Sequence, residues 1–478
     1  MISRWLDGSF VFNIILWLFN AFINVCRGSF IVEFFSAGFE HTRLKRSLFV
    51  RLAESGLNAV PKLFANVQAV DSPALPLWIK SSGLISTFLG SFGFEIPAWI
   101  LLLALVAVPF LPTMVLAGML VLVFILSLFW YRFDFDLTSV AILFFMAVSL
   151  FVGGVTSLSP GSSLSIALLI VVITLSYILV RVCFKGKLDF ALAAFIISAG
   201  LTVFVAFYQI LVGYEVDEAW LDPTLRSEIG IRIGSTFGNP NVYGTFLLLM
   251  IPLSFALIFY AKKPFYKLCA AGITGLLLLA LGLTFSRGSY MAVAVALALF
   301  VLILEKRLIV FFVGGVFALP FILPPAVITR VFSIFDFSDS STLYRMSIWR
   351  GALRLLGDFW MIGLGQGADA YNRAAPLHAL SGVFAAHSHN LFLQIFLETG
   401  IVGFIAFMAI IIFFFHGQFS FMKHTTDPRR RILSAAFISA AVGFLIQGMF
   451  DYPFHNYSVM LTFFIFLGLG SLVAEQKT

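Results

Sequence analysis

From residue 96 onward the chain is a succession of apolar runs, each close to the length a helix needs to cross a hydrocarbon core. They fall at about 96–110, 112–130, 137–156, 163–181, 189–211, 241–260, 267–285, 289–304, 308–325, 390–415, 432–450 and 458–474. A bilayer requires about 20 such residues per helix. A spanning segment must also satisfy its own backbone groups, which helices do. The spacing predicts about 12 transmembrane helices, the first two divided at Pro109 and Pro112 because proline breaks a helix. Without that division there are eleven. Hydrophobic residues make up 61% of the chain and charged residues only 11%, whereas soluble domains carry about 25% charged. A soluble enzyme and a disordered chain are both excluded. The fold class is an all-α integral membrane protein.

The net charge of +7 would suit a polyanion-binding surface if the cations were grouped on one. They alternate along the chain instead. Basic links carry Arg132; Arg181, Lys185 and Lys187; Lys262, Lys263 and Lys267; Lys306 and Arg307; and Lys423 with Arg429, Arg430 and Arg431. The intervening links, around Pro112, at 157–162 and at 286–288, hold Arg287 alone. Such alternation places the basic links and the C-terminus in the cytoplasm. The expected partners are the lipid bilayer and its components, with no nucleic acid.

Four regions follow. Residues 1–95 are an N-terminal extension, rich in Phe and Trp but interrupted by polar residues, which reads as interfacial helices on the inner leaflet, with a span at about 10–26 as the alternative. It lacks the small-residue cleavage site of a secretory signal. Residues 96–325 carry spans one to nine, with an outer loop at 213–240. Residues 326–388 form a large extracytoplasmic loop before the tenth span, and 389–478 carry spans ten to twelve. No fixed-period repeat is visible. Cys26, Cys183 and Cys269 lie outside both large loops, so neither disulfides nor thiolate metal sites are expected there.

The chemistry is expected on the outer face. The span interiors hold almost no ionisable groups, Glu398 being the nearest exception, and an ion-coupled transporter would need them. The outer cations are Arg226, Arg232, Arg287, Arg330, Arg345, Arg350, Arg354 and Arg373, with no lysine among them. A guanidinium fork suits phosphate or carboxylate. Arg330, Arg354 and Arg373 read as partners of outer acids. Arg232 opens Arg232-Ile-Gly-Ser-Thr-Phe-Gly-Asn-Pro-Asn241, and Arg287 sits in the tight link Thr284-Phe-Ser-Arg-Gly288. Both fall at headgroup depth, where a lipid-linked diphosphate would lie. In the large loop, Asp339–Arg354 reads as an amphipathic helix with Met346, Trp349, Leu353 and Leu356 on one side and Arg350 and Arg354 on a neighbouring face. The following Gly363-Leu-Gly-Gln-Gly367 is no nucleotide site, since no strand precedes it.

The outer histidines are His378, His387, His389 and His455. A neutral imidazole can take a proton from an attacking hydroxyl. A metal site at His387 and His389 would need a carboxylate at fixed short spacing, which is missing, so neither metal nor cofactor is expected. Glu398 follows His389 by two and a half turns, too far to orient its ring, and is placed to face Arg287 or Arg232.

Three stretches give the chain a recognisable character: Arg232–Asn241, Thr284–Gly288, and His389-Asn390 followed by nine residues, Gly400, two residues and Gly403. Together they resemble the O-antigen ligase and O-antigen polymerase superfamily of bacterial membrane glycosyltransferases, over about 190–470. The resemblance implies a GT-C-like bundle and transfer of a glycan from undecaprenyl diphosphate to a sugar hydroxyl on a glycan or glycolipid acceptor. It implies inversion without metal or nucleotide, at the outer side of the bacterial cytoplasmic membrane. By position, His389 is the candidate base and Arg232 and Arg287 the diphosphate clamp. Arg345, Arg350, His387, Asn390 and Glu398 are further substrate contacts. The pattern after His389 favours the ligase type. A polymerase with the same donor chemistry, and a lipid-linked sugar transporter, are the alternatives.

Overall fold

The computed structural model describes residues 48–63, 95–213, 232–305, 307, 309–322, 325–333, 340–377 and 385–475. The remainder of the N-terminal extension, most of the 213–240 loop, and His378 lie outside the described residues.

Sixteen α-helices are used below. They are α1 (Leu48–Leu63), α2 (Ile96–Ala107), α3 (Thr113–Trp130), α4 (Leu137–Phe151), α5 (Pro160–Cys183), α6 (Leu188–Leu211), α7 (Pro240–Tyr260) and α8 (Pro264–Thr284). Then come α9 (Arg287–Leu304), α10 (Ile309–Ile322), α11 (Pro325–Phe332), α12 (Ser340–Phe359), α13 (Ala368–Ala374), α14 (Leu391–His424), α15 (Pro428–Gly448) and α16 (Tyr457–Ala474). A helix stands at each of the twelve predicted runs. Ten are long and apolar enough to cross a membrane. The other two, α2 with 12 residues and α10 with 14, are shorter than the ~20 residues of a full span. The prolines explain α2. The helix stops at Ala107, Pro109 and Pro112 occupy the turn, and α3 begins at Thr113.

Helices apolar all round belong in a core, since no face seeks water. That describes α7 and α16, in which 78% of the most apolar window is buried, against 22% in α3 at the edge. α15 packs against both α7 and α9, and α16 packs against α5. α14 lies against α4 and carries α12 across its start.

The links gather at two ends. At one, Arg181 in α5 pairs with Asp136 at 3.2 Å and with Glu475 at 2.6 Å. Lys187 pairs with Glu95, Tyr260 donates to Asp189, and Arg430 reaches the carbonyl of Glu475. This is the basic end. α1 docks here, its Asn58 exchanging hydrogen bonds with the backbone of Phe133. At the opposite end Leu158 N–H donates to Leu364 O, Gln209 holds Ser235, and Asn390 donates to Met449 O.

Two expectations need correction. The tenth span continues to His424, so His416 is buried inside α14 and is no part of the link. α12 exists, but its buried face is Ile348, Ala352 and Leu355, whereas Met346 and Leu353 are exposed. The helix carries apolar residues on two faces, and the stripe that faces α14 is rotated from the one that spacing alone selects.

α14 itself is broken. Gly400 has φ 66° and ψ −173°, a left-handed-side conformation that glycine adopts at no steric cost. The break frees helical hydrogen-bonding groups, and the loop after α12 takes them. Leu364 N–H donates to Leu397 O, Gly365 N–H to Glu398 O, and Ile401 N–H to Trp360 O. Gly363, with φ 73°, lies so close that a Cβ there would stand 2.6 Å from the Gly400 nitrogen. The glycines at 363 and 400 are thus a matched crossing.

Candidate active site

His389 stands where the large loop becomes α14. Its successor Asn390 is the N-cap: the side chain accepts from Leu393 N–H at 2.9 Å, satisfying one of the helix's orphan donors. The same side chain donates to Met449 O at 2.9 Å, tying the start of α14 to the end of α15. Asn390 therefore acts as a positioning residue in this structure.

That tie brings Asp451 to His389. His389 Nδ1 lies 3.3 Å from Asp451 Oδ1. Burial pushes the Asp451 pKa up, but the hydrogen bond to His389 and the charges of His389, His455 and Arg345 outweigh it and hold the group well below the usual carboxylate range. An ionised carboxylate only accepts, so in the neutral form of the ring the Nδ1 tautomer is favoured and Nε2 keeps its lone pair. The remaining contacts fix the ring. Trp349 Nε1 donates to His389 O at 3.3 Å, and Tyr344 meets the ring edge-on at 6.2 Å. Both come from α12.

Three imidazoles stand in a row. His387 is 4.3 Å from His389 and 4.9 Å from His455, centre to centre. Burial, together with its two histidine neighbours, pushes the His387 pKa down to about 3. Its Nδ1 accepts from the backbone N–H of His389, which leaves the proton on Nε2. Among the described residues no group of three or more His, Cys, Asp or Glu side chains is arranged to hold a metal ion.

The arginines assemble around the α8–α9 link. Arg232, buried, donates from Nε to Thr284 O at 3.0 Å and reaches Asn241 Oδ1 at 3.3 Å. Arg287 donates to Ser333 O at 3.1 Å. Arg330, also buried, donates from Nε to Phe285 O at 3.1 Å. This contact makes Arg330 the third guanidinium at the link. Gly288 rests against Gln447 of α15, so the C-terminal end of α15 runs from the arginine link towards Asp451. Arg345 acts electrostatically on Asp451, while Arg350 is exposed on the far side of α12.

Glu398 does not face Arg232 or Arg287 as expected. Its Oε1 accepts from Gln394 Nε2 at 2.9 Å and from Gly367 N–H at 3.3 Å. Its Oε2 accepts from Tyr452 OH at 3.3 Å. The break at Gly400 and the loop threaded against it turn this carboxylate towards α16 and the 366–368 segment.

Residues 272–408 match the protein-family model described as O-antigen ligase. Over these residues the chain is similar to the O-antigen ligase family. The matched span is narrower than the 190–470 likeness but includes Arg287, Arg330, Arg345, His387, His389, Glu398 and both glycines of the Gly-x-x-Gly pair. Arg232 and Asp451 lie outside it in sequence and join it in space. No curated protein matches the chain.

One backbone feature unites the three stretches that carried the resemblance. Among the described residues, the non-glycine residues with positive φ are Ser235 (48°), Phe285 (51°) and His389 (49°). One falls in each stretch. Such conformations cost on the order of 1–3 kcal/mol each and persist where surrounding structure over-determines them, typically at functional sites. The backbone strain among the described residues is concentrated where Arg232, Arg287 and His389 are presented.

Proposed function

We propose that this protein is a membrane glycosyltransferase of the O-antigen ligase type, moving a glycan from undecaprenyl diphosphate to a sugar hydroxyl at the outer side of the cytoplasmic membrane. The observation that carries the reading is the His389–Asp451 pair. Asp451 fixes the tautomer that leaves His389 Nε2 free as a base, the arrangement that serves hydroxyl activation in catalytic triads. Nε2 takes the acceptor hydroxyl's proton as that oxygen attacks the anomeric carbon. The bond from that carbon to the diphosphate breaks, and its electron pair leaves with the phosphate. Arg232, Arg287 and Arg330 oppose the charge that grows there. The bend of the donor at headgroup depth suits arginines placed at a helix–helix link. The outward orientation rests on the basic links, which gather at the opposite end of the bundle.

The test is transfer by the purified protein supplied with an undecaprenyl diphosphate-linked glycan and a glycolipid acceptor. The expected result is a covalent product from the wild type and none from His389→Ala or Arg287→Ala. Transfer surviving in both variants overturns the mechanism. Extension of one lipid-linked glycan by another, with no use of the glycolipid, replaces the ligase reading with polymerisation.

A further inference from the structure

A second feature lies on the far side of His387 from His389. It is a partly open chamber of about 380 Å³ between α4, α5, α14 and α16, within the ~300–1,000 Å³ usual for small-molecule sites. Its walls are of two kinds. Tyr452, Phe454 and Tyr457 supply aromatic surface, and Glu398, Gln366 and His387 supply polar groups. We propose that this chamber is the binding subsite for a sugar ring of the acceptor, held through Glu398.

The polar groups define the ligand. Glu398 is buried, and the three groups that hold it all donate to it. A carboxylate has about four lone-pair positions, so one remains for a further donor. Gln366 is fully buried, and its Nε2 donates to Ser149 O. Its Oε1 lies against Gly153 with no accessible surface. The open position on Glu398 is what asks for a ligand that brings an O–H group, with apolar C–H faces to lie on the rings. A pyranose does both. A diphosphate brings no donors, so the donor's anionic part belongs at the arginine link. The chamber abuts the base through His387, so a sugar seated there can turn a hydroxyl to His389. The inference rests on the glycosyltransferase reading above for which sugar occupies the chamber.

The purified full-length protein in detergent, probed by saturation-transfer NMR with methyl glycosides of a neutral hexose, an N-acetylhexosamine and a hexuronic acid, tests it. The two uncharged glycosides are expected to receive saturation and the hexuronide several-fold less. Glu398→Gln should weaken the signal about tenfold in apparent affinity. Ala368→Trp, at an exposed position on the rim, should abolish it without disturbing the core. No signal from the wild type, or signals unchanged in both folded variants, overturns the proposal. In the transfer assay, Glu398→Gln should raise the acceptor KM about tenfold and leave the donor KM unchanged; a rise confined to the donor KM overturns the acceptor assignment. Glycoside binding without any transfer leaves the chamber standing and removes the glycosyltransferase reading. Transfer without glycoside binding does the reverse.

Discussion

His389 Nδ1 and Asp451 Oδ1 stand 3.3 Å apart although 62 residues separate them in the chain. The pair exists because the end of α15 is pinned to the start of α14, through Asn390 to Met449 O. Gly448 packs on Leu391 at the same junction. Whatever chemistry His389 performs depends on a carboxylate delivered by a different span.

Asp451→Asn should leave the fold intact and lower kcat by about 10²–10⁴, because an amide no longer dictates which imidazole nitrogen carries the proton. The acceptor KM should change little. Steady-state transfer kinetics, with circular dichroism to confirm folding, measure both.

Arg232→Lys, Arg287→Lys and Arg330→Lys should each raise the donor KM or lower kcat by about tenfold or more. Lysine keeps the charge but loses the planar fork that grips a diphosphate and a backbone carbonyl together. Arg350→Lys, on the exposed face of α12, is the control and should stay within about twofold. Initial rates against donor concentration decide the matter.

His387 sets a pH limit on stability. Its pKa is about 3 in the folded protein, whereas the unfolded chain takes up the same proton near pH ~6.5. Between those values the unfolded state binds more protons, so stability is full above pH ~6.5 and falls as the pH drops towards 3. In His387→Asn, the slope of unfolding free energy against pH near pH 5 should diminish by about one proton. Thermal or denaturant unfolding in detergent across that range gives the slope.

Gly400→Ala should lower the unfolding midpoint, since it places a Cβ at φ 66° and within 2.8 Å of the Gly363 nitrogen. That combination of φ and ψ, essentially confined to glycine, costs another residue on the order of 1–3 kcal/mol. The contact with the 361–363 backbone adds to it. Transfer should fall as well, because Glu398 and Gln394 sit on the displaced half of α14.

The spans were legible because lipid leaves so few choices: length, apolarity and two prolines position twelve helices. His389, Arg232 and Arg287, on which the proposed mechanism rests, were singled out by local motifs alone. Asp451 was not. The predicted topology set it on the same face as His389, but nothing local distinguishes it from the other acids there; the choice is made by how α15 meets α14. The contact of Arg330 with the backbone carbonyl of Phe285 was hidden for the same reason, since no side-chain pattern reveals it. The buried face of α12 was missed because both its faces are apolar. Glu398 was turned the wrong way because a straight helix was assumed through Gly400.

The crossing of Gly363 and Gly400 has a mechanical meaning. The rod of α14 from Ile401 onward lies in the bilayer and is subject to its thickness and tension. The short segment before it is stitched to the 360–365 loop by backbone hydrogen bonds and anchored at Asn390 to α15. Ile401 N–H, the first of the rod, is bonded to Trp360 O of that same loop, so both halves are held to one strip of backbone. The crossing works as a splice, keeping the carbonyls of Leu397 and Glu398 bonded where the broken helix cannot bond them.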